Sequence, residues 1–414
     1  MKFTDEFLEG LRDAGDPEAD DVVDEYMSRV EIDVDGDGLD DLTGRPTTIF
    51  RRLLGKAIGS DEHGPTVAAF INRPVPLPDW AEPARIEQAQ RFFHEYAPQF
   101  ALGLWLASIP SGYAGARDAI ILGESIRCVS EPRARFFETG QFVADVMKEH
   151  SLFSADEPGL AAGIGARDIR HVRLVHGLAR YLITHDELTS DDFTWTPAMG
   201  RPVNQMALLA TMFTFSVVGV ESLEKFGIRV RKDDRENYAH LWNVVGHLLG
   251  IRPDLLPLDF DQSQAVWERI KEREYASSEQ GVLLTNAAIE ALRTLIPSKA
   301  FHGFPATGMR ELIGDATADL LQVPPADWTR KVLRTGSALN SMASRVNQNV
   351  PGARSISRWM GKAIFTNFVM LENARQGDRE QFEIDDELRK RIVLRTKAER
   401  ADAMKARVAR LTRR

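Results

Sequence analysis

The sequence predicts an all-α fold, and three observations carry that prediction. From Pro83 onward apolar residues recur at helical spacing, first as Ile86, Ala89, Phe92, Phe93 and Tyr96, then as Phe100, Leu102, Leu104 and Leu106. No run of strand-like alternation follows. Helix punctuation falls where the periodicity begins and ends, as with Pro202 and Asn204 before one apolar stretch and Gly227 after it. At 414 residues, 43% hydrophobic and 27% charged, the chain can bury a large core. The expected organisation is one large helical domain: an N-terminal arm over residues 1–82, a helical core over 83–300, and a C-terminal helical extension over 301–414.

Taken in order, the arm is acidic and then rich in Pro and Gly, with short amphipathic helices expected over residues 4–14 and 47–58. Within it Asp33, Asp35, Asp37 and Gly38 copy the first half of a calcium loop. The twelfth position is Gly44, where that loop needs a bidentate Glu, and an acidic turn is an ordinary solvated loop. After the helical stretch that begins at Pro83, helices are expected near 116–127, 132–149, 166–184, 204–226, 234–249, 262–273, 281–296, 308–321, 327–347, 354–375 and 385–411. The greasiest is the one opening at Asn204, since Met206 to Val220 holds no charge. Fifteen such residues fall short of the about 20 that span a bilayer. The stretch reads as a core helix packed beside the one at 166–184, with its threonines and Ser216 bonding back to their own carbonyls.

Composition narrows the chemistry. A net charge of −9 and a pI near 5.6 disfavour non-specific binding to nucleic acid or anionic membranes. Small molecules are the expected partners. A single cysteine, Cys128, leaves no intrachain disulfide and no thiolate cluster for zinc or iron–sulfur. The opening residues lack the basic region and apolar run of a signal peptide, so a cytoplasmic location is expected.

The stretch Gly165 to Ile183, GARDIRHVRLVHGLARYLI, carries the most specific chemistry. At 3.6 residues per turn Val172, His176, Ala179, Arg180 and Ile183 share one stripe, with Arg173 one turn before the histidine on its flank. A neutral imidazole among apolar residues, with cations nearby, suits the iron of a flat, doubly anionic cofactor such as haem, the arginines meeting its carboxylates. A core histidine that simply finds its hydrogen bonds fits the same spacing. Farther on, His240 and His247 share a helix face two turns apart, roughly 10 Å, too far for both to grip one metal. Either is a candidate to support a cofactor ligand from behind. Upstream, Arg135 and Thr139 stand four apart on one face, where a guanidinium and a hydroxyl can together hold an oxygen or a substrate group; a surface arginine on an amphipathic helix fits equally. Paired Glu-x-x-His units for a di-iron bundle are missing, as are a Gly-x-Ser-x-Gly elbow and a phosphate-cradling Gly loop.

Four of these stretches, RARFFETGQFV, HVRLVHGLARYL, GRPVNQMALLATMFTF and YAHLWNVVGHLLGI, occur in an order and at separations that resemble the catalytic domain of the rubber oxygenases (latex clearing proteins) and their relatives, including the mycophenolic acid pathway oxygenase. The resemblance covers roughly residues 85–300, with a looser echo over 375–388. It implies a globin-like all-α core, a b-type haem, and use of dioxygen to cleave carbon–carbon double bonds in hydrophobic, polyisoprenoid-like chains. It makes His176 the iron ligand, with Arg180 one turn on, and sets Arg135 and Thr139 on the other side of the haem. One departure matters: where rubber oxygenases have a lysine that can cap the iron, this chain has Glu138. Asp118 and Glu124 lie near the family's glutamate base, and neither is assigned to that role. With the secretion signal of the rubber enzymes missing, a smaller terpenoid or lipid is the expected substrate. A haem carrier or sensor without turnover, and a haem-free helical interaction protein, are the rival readings.

Overall fold

The computed structural model describes residues 3–29, 65–124, 132–154, 156–184 and 195–349. The expected all-α class is what these residues show. The only strands among them form a two-residue antiparallel ribbon, Val75 opposite Ala161 and Pro76 opposite Leu160. The calcium-like stretch at Asp33, Asp35 and Asp37, the helices expected at 47–58, 354–375 and 385–411, the echo at 375–388 and Cys128 lie outside the described residues.

The N-terminal stretch is α1 (Asp5–Gly10), a 3-10 turn (Leu11–Asp13), α2 (Pro17–Arg29) and α3 (Pro65–Asn72). Thr4 caps α1, its hydroxyl accepting from the Phe7 amide at 3.2 Å. The sequence reading missed α2 and α3. The acidic run that opens α2 reads as a solvated loop until its arginine partners are known.

The core begins with α4 (Pro83–Glu95) and a long helix in three parts: α5 (Ala97–Gly103), a π-helical turn (Leu104–Ser108) and α6 (Ile109–Tyr113). Pro110 explains the π turn. It has no N–H to offer the carbonyl four residues back, and its ring crowds that carbonyl, so the ladder slips and the Ile109 amide bonds to Leu104 instead. Then come α7 (Ala116–Glu124), α8 (Pro132–Met147), α9 (Ile164–Thr184), α10 (Gln205–Lys225), α11 (Lys232–Leu248), α12 (Phe260–Glu274), α13 (Glu279–Thr294), α14 (Phe304–Ile313), α15 (Asp315–Leu320) and α16 (Thr329–Asn349).

Helix α10 is the central one, packed against α5, the π turn, α11 and α12. Its ends follow the sequence: the Asn204 side chain accepts from the Ala207 amide at 3.0 Å, and Gly227 closes the helix at φ +82° with a paired carbonyl return. Its length and composition would let it cross a bilayer, but most of its residues are buried in the protein. Thr214 and Ser216 bond back to carbonyls of their own helix, as expected. The aromatic core beside it is continuous, with Phe93 stacked on Phe100, Phe100 on Tyr238, and Phe215 on Trp242 at 4.8 Å.

The acidic N-terminus is bound down by arginines. Asp16 takes a two-pronged bond from Arg173 of α9 at 2.6 and 2.7 Å, Glu18 a second bond from Arg173 at 2.9 Å, and Asp20 a bond from Arg180 at 2.6 Å. On the other side Asp5 pairs with Arg269, Glu9 with Arg273, and Arg12 with Glu274, all on α12. Gly250, at φ +89° past the end of α11, makes room for this: a Cβ there would stand 2.2 Å from an Asp16 oxygen. Burial works against the charge on Arg173, but Asp16 and Glu18 more than offset it and hold it protonated.

Asp16→Ala leaves the Arg173 guanidinium with Glu18 alone, and since loss of the one partner of a buried pair costs about 3–5 kcal/mol, the cost here is expected at about 1–3 kcal/mol. Urea unfolding should show that loss. A change within about 0.5 kcal/mol, the range of ordinary surface substitutions, would mean the clasp contributes nothing to stability.

Candidate functional site

Helices α9 and α10 do not pack closely as expected; they face each other across a cavity of about 360 Å³. Val172, Val175, His176 and Ala179 line it from α9, and Ala207, Ala210, Thr211 and Thr214 from α10. Phe136, Thr139 and Phe142 enter from α8, which packs alongside α9. The 3.6-residue stripe thus does what its spacing implies: His176 sits in an apolar wall, and among the described residues it is the only imidazole in the lining.

Thr139 shares this wall, so the structure brings two of the sequence-derived site residues together. Glu138 points elsewhere: it is buried, 6% exposed, and is not part of the lining. Neighbouring positions on a helix lie about 100° apart, so a residue beside Thr139 need not reach the same space. Arg135 lies on α8, but its side chain is outside the described residues, as is that of Glu124.

Four other expectations need correction. Arg173 and Arg180 do not face the cavity; both are turned to the N-terminal carboxylates, and Arg180 also donates to the Val203 carbonyl at 3.0 Å. The Arg173 fork is filled, whereas the Nη2 of Arg180 is buried without a hydrogen-bond partner. Burial raises the pKa of Asp20, and Arg180 beside it pulls the other way. His240 and His247 are also outside the lining. The His240 Nε2 accepts the Glu82 amide at 2.9 Å, which fixes that nitrogen as the unprotonated one and gives the start of α4 a cap. Burial, then the charge on Arg85, lowers its pKa to about 4. His247 stands edge-on to Trp80, its pKa lowered by burial and then by Arg173.

The sequence reading left Asp118 unassigned and did not notice Arg12, Glu274 or Tyr275; all four line the cavity. They come from the 3-10 turn, α7, the end of α12 and the residue after it, so no local spacing announces them. Burial, with Glu274 adding repulsion, raises the pKa of Asp118 to about 7, against a smaller opposing pull from Arg12. Part of its surface faces the cavity, yet protein surrounds it closely enough for desolvation to dominate.

Among the described residues, no group of three or more His, Cys, Asp or Glu stands close enough to hold a bare metal ion. On the α9 side of the cavity His176 is the metal-ligating side chain among the described lining residues, and its neighbours Val172, Val175 and Ala179 are apolar. That arrangement suits a metal which arrives inside its own equatorial ligand, as in haem, and needs one protein donor.

Between pH 3.8 and about 7 the folded chain holds a proton on Asp118 that the unfolded chain releases, so stability falls as pH rises through that window. Melting temperatures from pH 5 to 8 should fall for the wild type and fall less for Asp118→Asn. Parallel curves would place Asp118 in water rather than in the wall.

The family model described as "ER-bound oxygenase mpaB/B'/Rubber oxygenase, catalytic domain" matches residues 89–345. The rubber oxygenase of Streptomyces sp. (strain K30) is 22% identical over 228 residues, 53% of this chain and 51% of that protein. The chain therefore spans about half the length of that curated relative. The structure of latex clearing protein in its closed state has a TM-score of 0.63 at 17% identity, covering 90% of this chain and 94% of that one, and so shares the fold. Residues 89–345 hold most of the core and every cavity-lining residue named above except Arg12, and the chain belongs to the mpaB and rubber oxygenase catalytic-domain family.

Proposed function

We propose that this chain is an oxygenase dependent on haem b, and that it cleaves a carbon–carbon double bond in a hydrophobic terpenoid or lipid-like substrate. The observation that carries the proposal is the imidazole of His176, set in the apolar wall of a cavity that also holds Thr139. Family membership supports the oxygenase reading, and the rubber oxygenase match supports a hydrophobic substrate.

His176 is the residue to hold the iron. A haem bound there would supply the redox chemistry that activates dioxygen. The chain's own residues do the rest. Apolar side chains from α7, α8, α9 and α10 exclude water from the substrate's double bond and from His176. The Thr139 hydroxyl offers a hydrogen bond to an oxygen carrying negative charge, and the resemblance pairs it with Arg135 on the same helix. Glu138 lies off the wall, so no side chain at that position takes the place of the capping lysine of rubber oxygenases. Arg173 and Arg180 are taken up by the arm, and of the cations on the wall Arg117 is the one suited to the cofactor's carboxylates.

Oxygen uptake by the haem-loaded protein with an isoprenoid alkene, followed by mass analysis for carbonyl fragments, tests the reading. Thr139→Val and Arg135→Ala should each lower uptake about 10-fold or more with haem content unchanged. Full haem with no uptake for any alkene would make the protein a carrier or sensor.

A further inference from the structure

The cavity is apolar over most of its wall, with one region that is not. Arg12, Ser111, Asp118, Glu274 and Tyr275 all line it, and they form one group. Arg12 pairs with Glu274 in a contact with little exposure on either side, and also holds Glu9 at 3.0 Å. Asp118 feels both Arg12 and Glu274. Tyr275 follows Glu274 in the chain, bridges to Gly115 three residues before Asp118, and sets its ring edge-on to Trp267 at 5.9 Å. The helices packed against the His176 helix are α2, α3, α8 and α11, whereas these residues come from the 3-10 turn, α6, α7 and α12. One set of elements builds the imidazole wall and another builds the polar end.

One donor in this group has no partner, and a second has only the Ser111 hydroxyl beside it. Arg12 is 7% exposed, and its Nε is buried without a hydrogen bond. The Tyr275 hydroxyl is also buried and makes no well-formed hydrogen bond, although Ser111 lies near it. Burial of an unsatisfied donor is costly, and an oxygen atom of a ligand in the cavity would relieve that cost. The charge balance says which ligand. The guanidinium of Arg12 already faces two carboxylates, and Asp118 adds a third acidic group, so the region has no net positive charge with which to hold an anion.

We propose that Arg12, Glu274, Asp118 and Tyr275 anchor an uncharged oxygen function, a hydroxyl or carbonyl, at one end of an otherwise apolar substrate. The preferred substrate is then an oxygenated isoprenoid-like lipid rather than a bare hydrocarbon. This rests on the reading of the cavity as the substrate site, and deepens it. A hydroxyl can accept from Tyr275 and donate to Glu274 while the apolar chain runs along the wall built by α9 and α10.

Direct binding tests this without haem or turnover. Trp195 and Trp267 line the cavity, so quenching of tryptophan emission reports entry. Three probes of one carbon skeleton serve: farnesol, farnesene and farnesoic acid. Farnesol should bind about 10-fold or more tightly than farnesene, the factor that one good hydrogen bond to a charged partner supplies. It should also bind more tightly than farnesoic acid at pH 8. Tyr275→Phe and Asp118→Asn should each bring the farnesol to farnesene ratio towards one and leave farnesene binding unchanged; circular dichroism checks that both fold. Equal affinity for alcohol and hydrocarbon, a ratio unmoved by both variants, or a preference for the acid would each overturn the anchor. Since none of these readouts uses haem, a protein that binds farnesol selectively but fails to consume oxygen would refute the oxygenase reading and leave the anchor standing.

Discussion

The clasp between N-terminal carboxylates and core arginines is the interaction on which the rest of the structure depends. Asp16, Glu18 and Asp20 hold Arg173 and Arg180 on one side, while Asp5, Glu9 and Arg12 pair with α12 on the other. The buried guanidinium and carboxylate groups would be costly without one another. Apolar burial then fixes the arm in place, with Leu8 and Leu11 in the main core and Ala19 and Val23 against Leu174 and Leu178 of α9. One consequence is functional. The arm brings Arg12 into the cavity wall, so a segment that looks like wrapping completes the site.

The same clasp explains why His176 is presented as it is. Arg173 and Arg180 stand three and four residues from it on the adjoining side of α9, and their turn towards α2 leaves Val172, His176 and Ala179 to face the cavity. A 21-residue helix thus carries an ionic face for the arm and an apolar face for the cavity. Gly177, next to the histidine, permits the contact: a Cβ there would stand 3.2 Å from the Ala19 carbonyl oxygen of α2.

Periodicity and caps carry most of the helical core in legible form, because both are local. The stripe at Val172, His176 and Ala179, the Asn204 cap and the Gly227 stop can each be read within a few residues. What the sequence hides is pairing over distance. Arg173 finds Asp16 at a separation of 157 residues, Arg180 finds Asp20 at 160, and Arg12 finds Glu274 at 262. A reader of the arginines alone assigns them to a cofactor. The spacing of His240 and His247 correctly excludes a shared metal, but the tie from His240 to the Glu82 amide spans 158 residues and leaves no trace near either. Asp118 is visible as a nearby acid, and only the fold shows which side of α7 meets the cavity.

The central claim is that His176 holds haem iron in this cavity. Pyridine haemochrome and iron assays on purified wild type and His176→Ala, both reconstituted with haem b, test it most directly. The account predicts about one haem per chain for the wild type, and loss of the Soret band in the variant with helical circular dichroism retained. Full haem occupancy in His176→Ala, or none in the wild type after reconstitution, would contradict it.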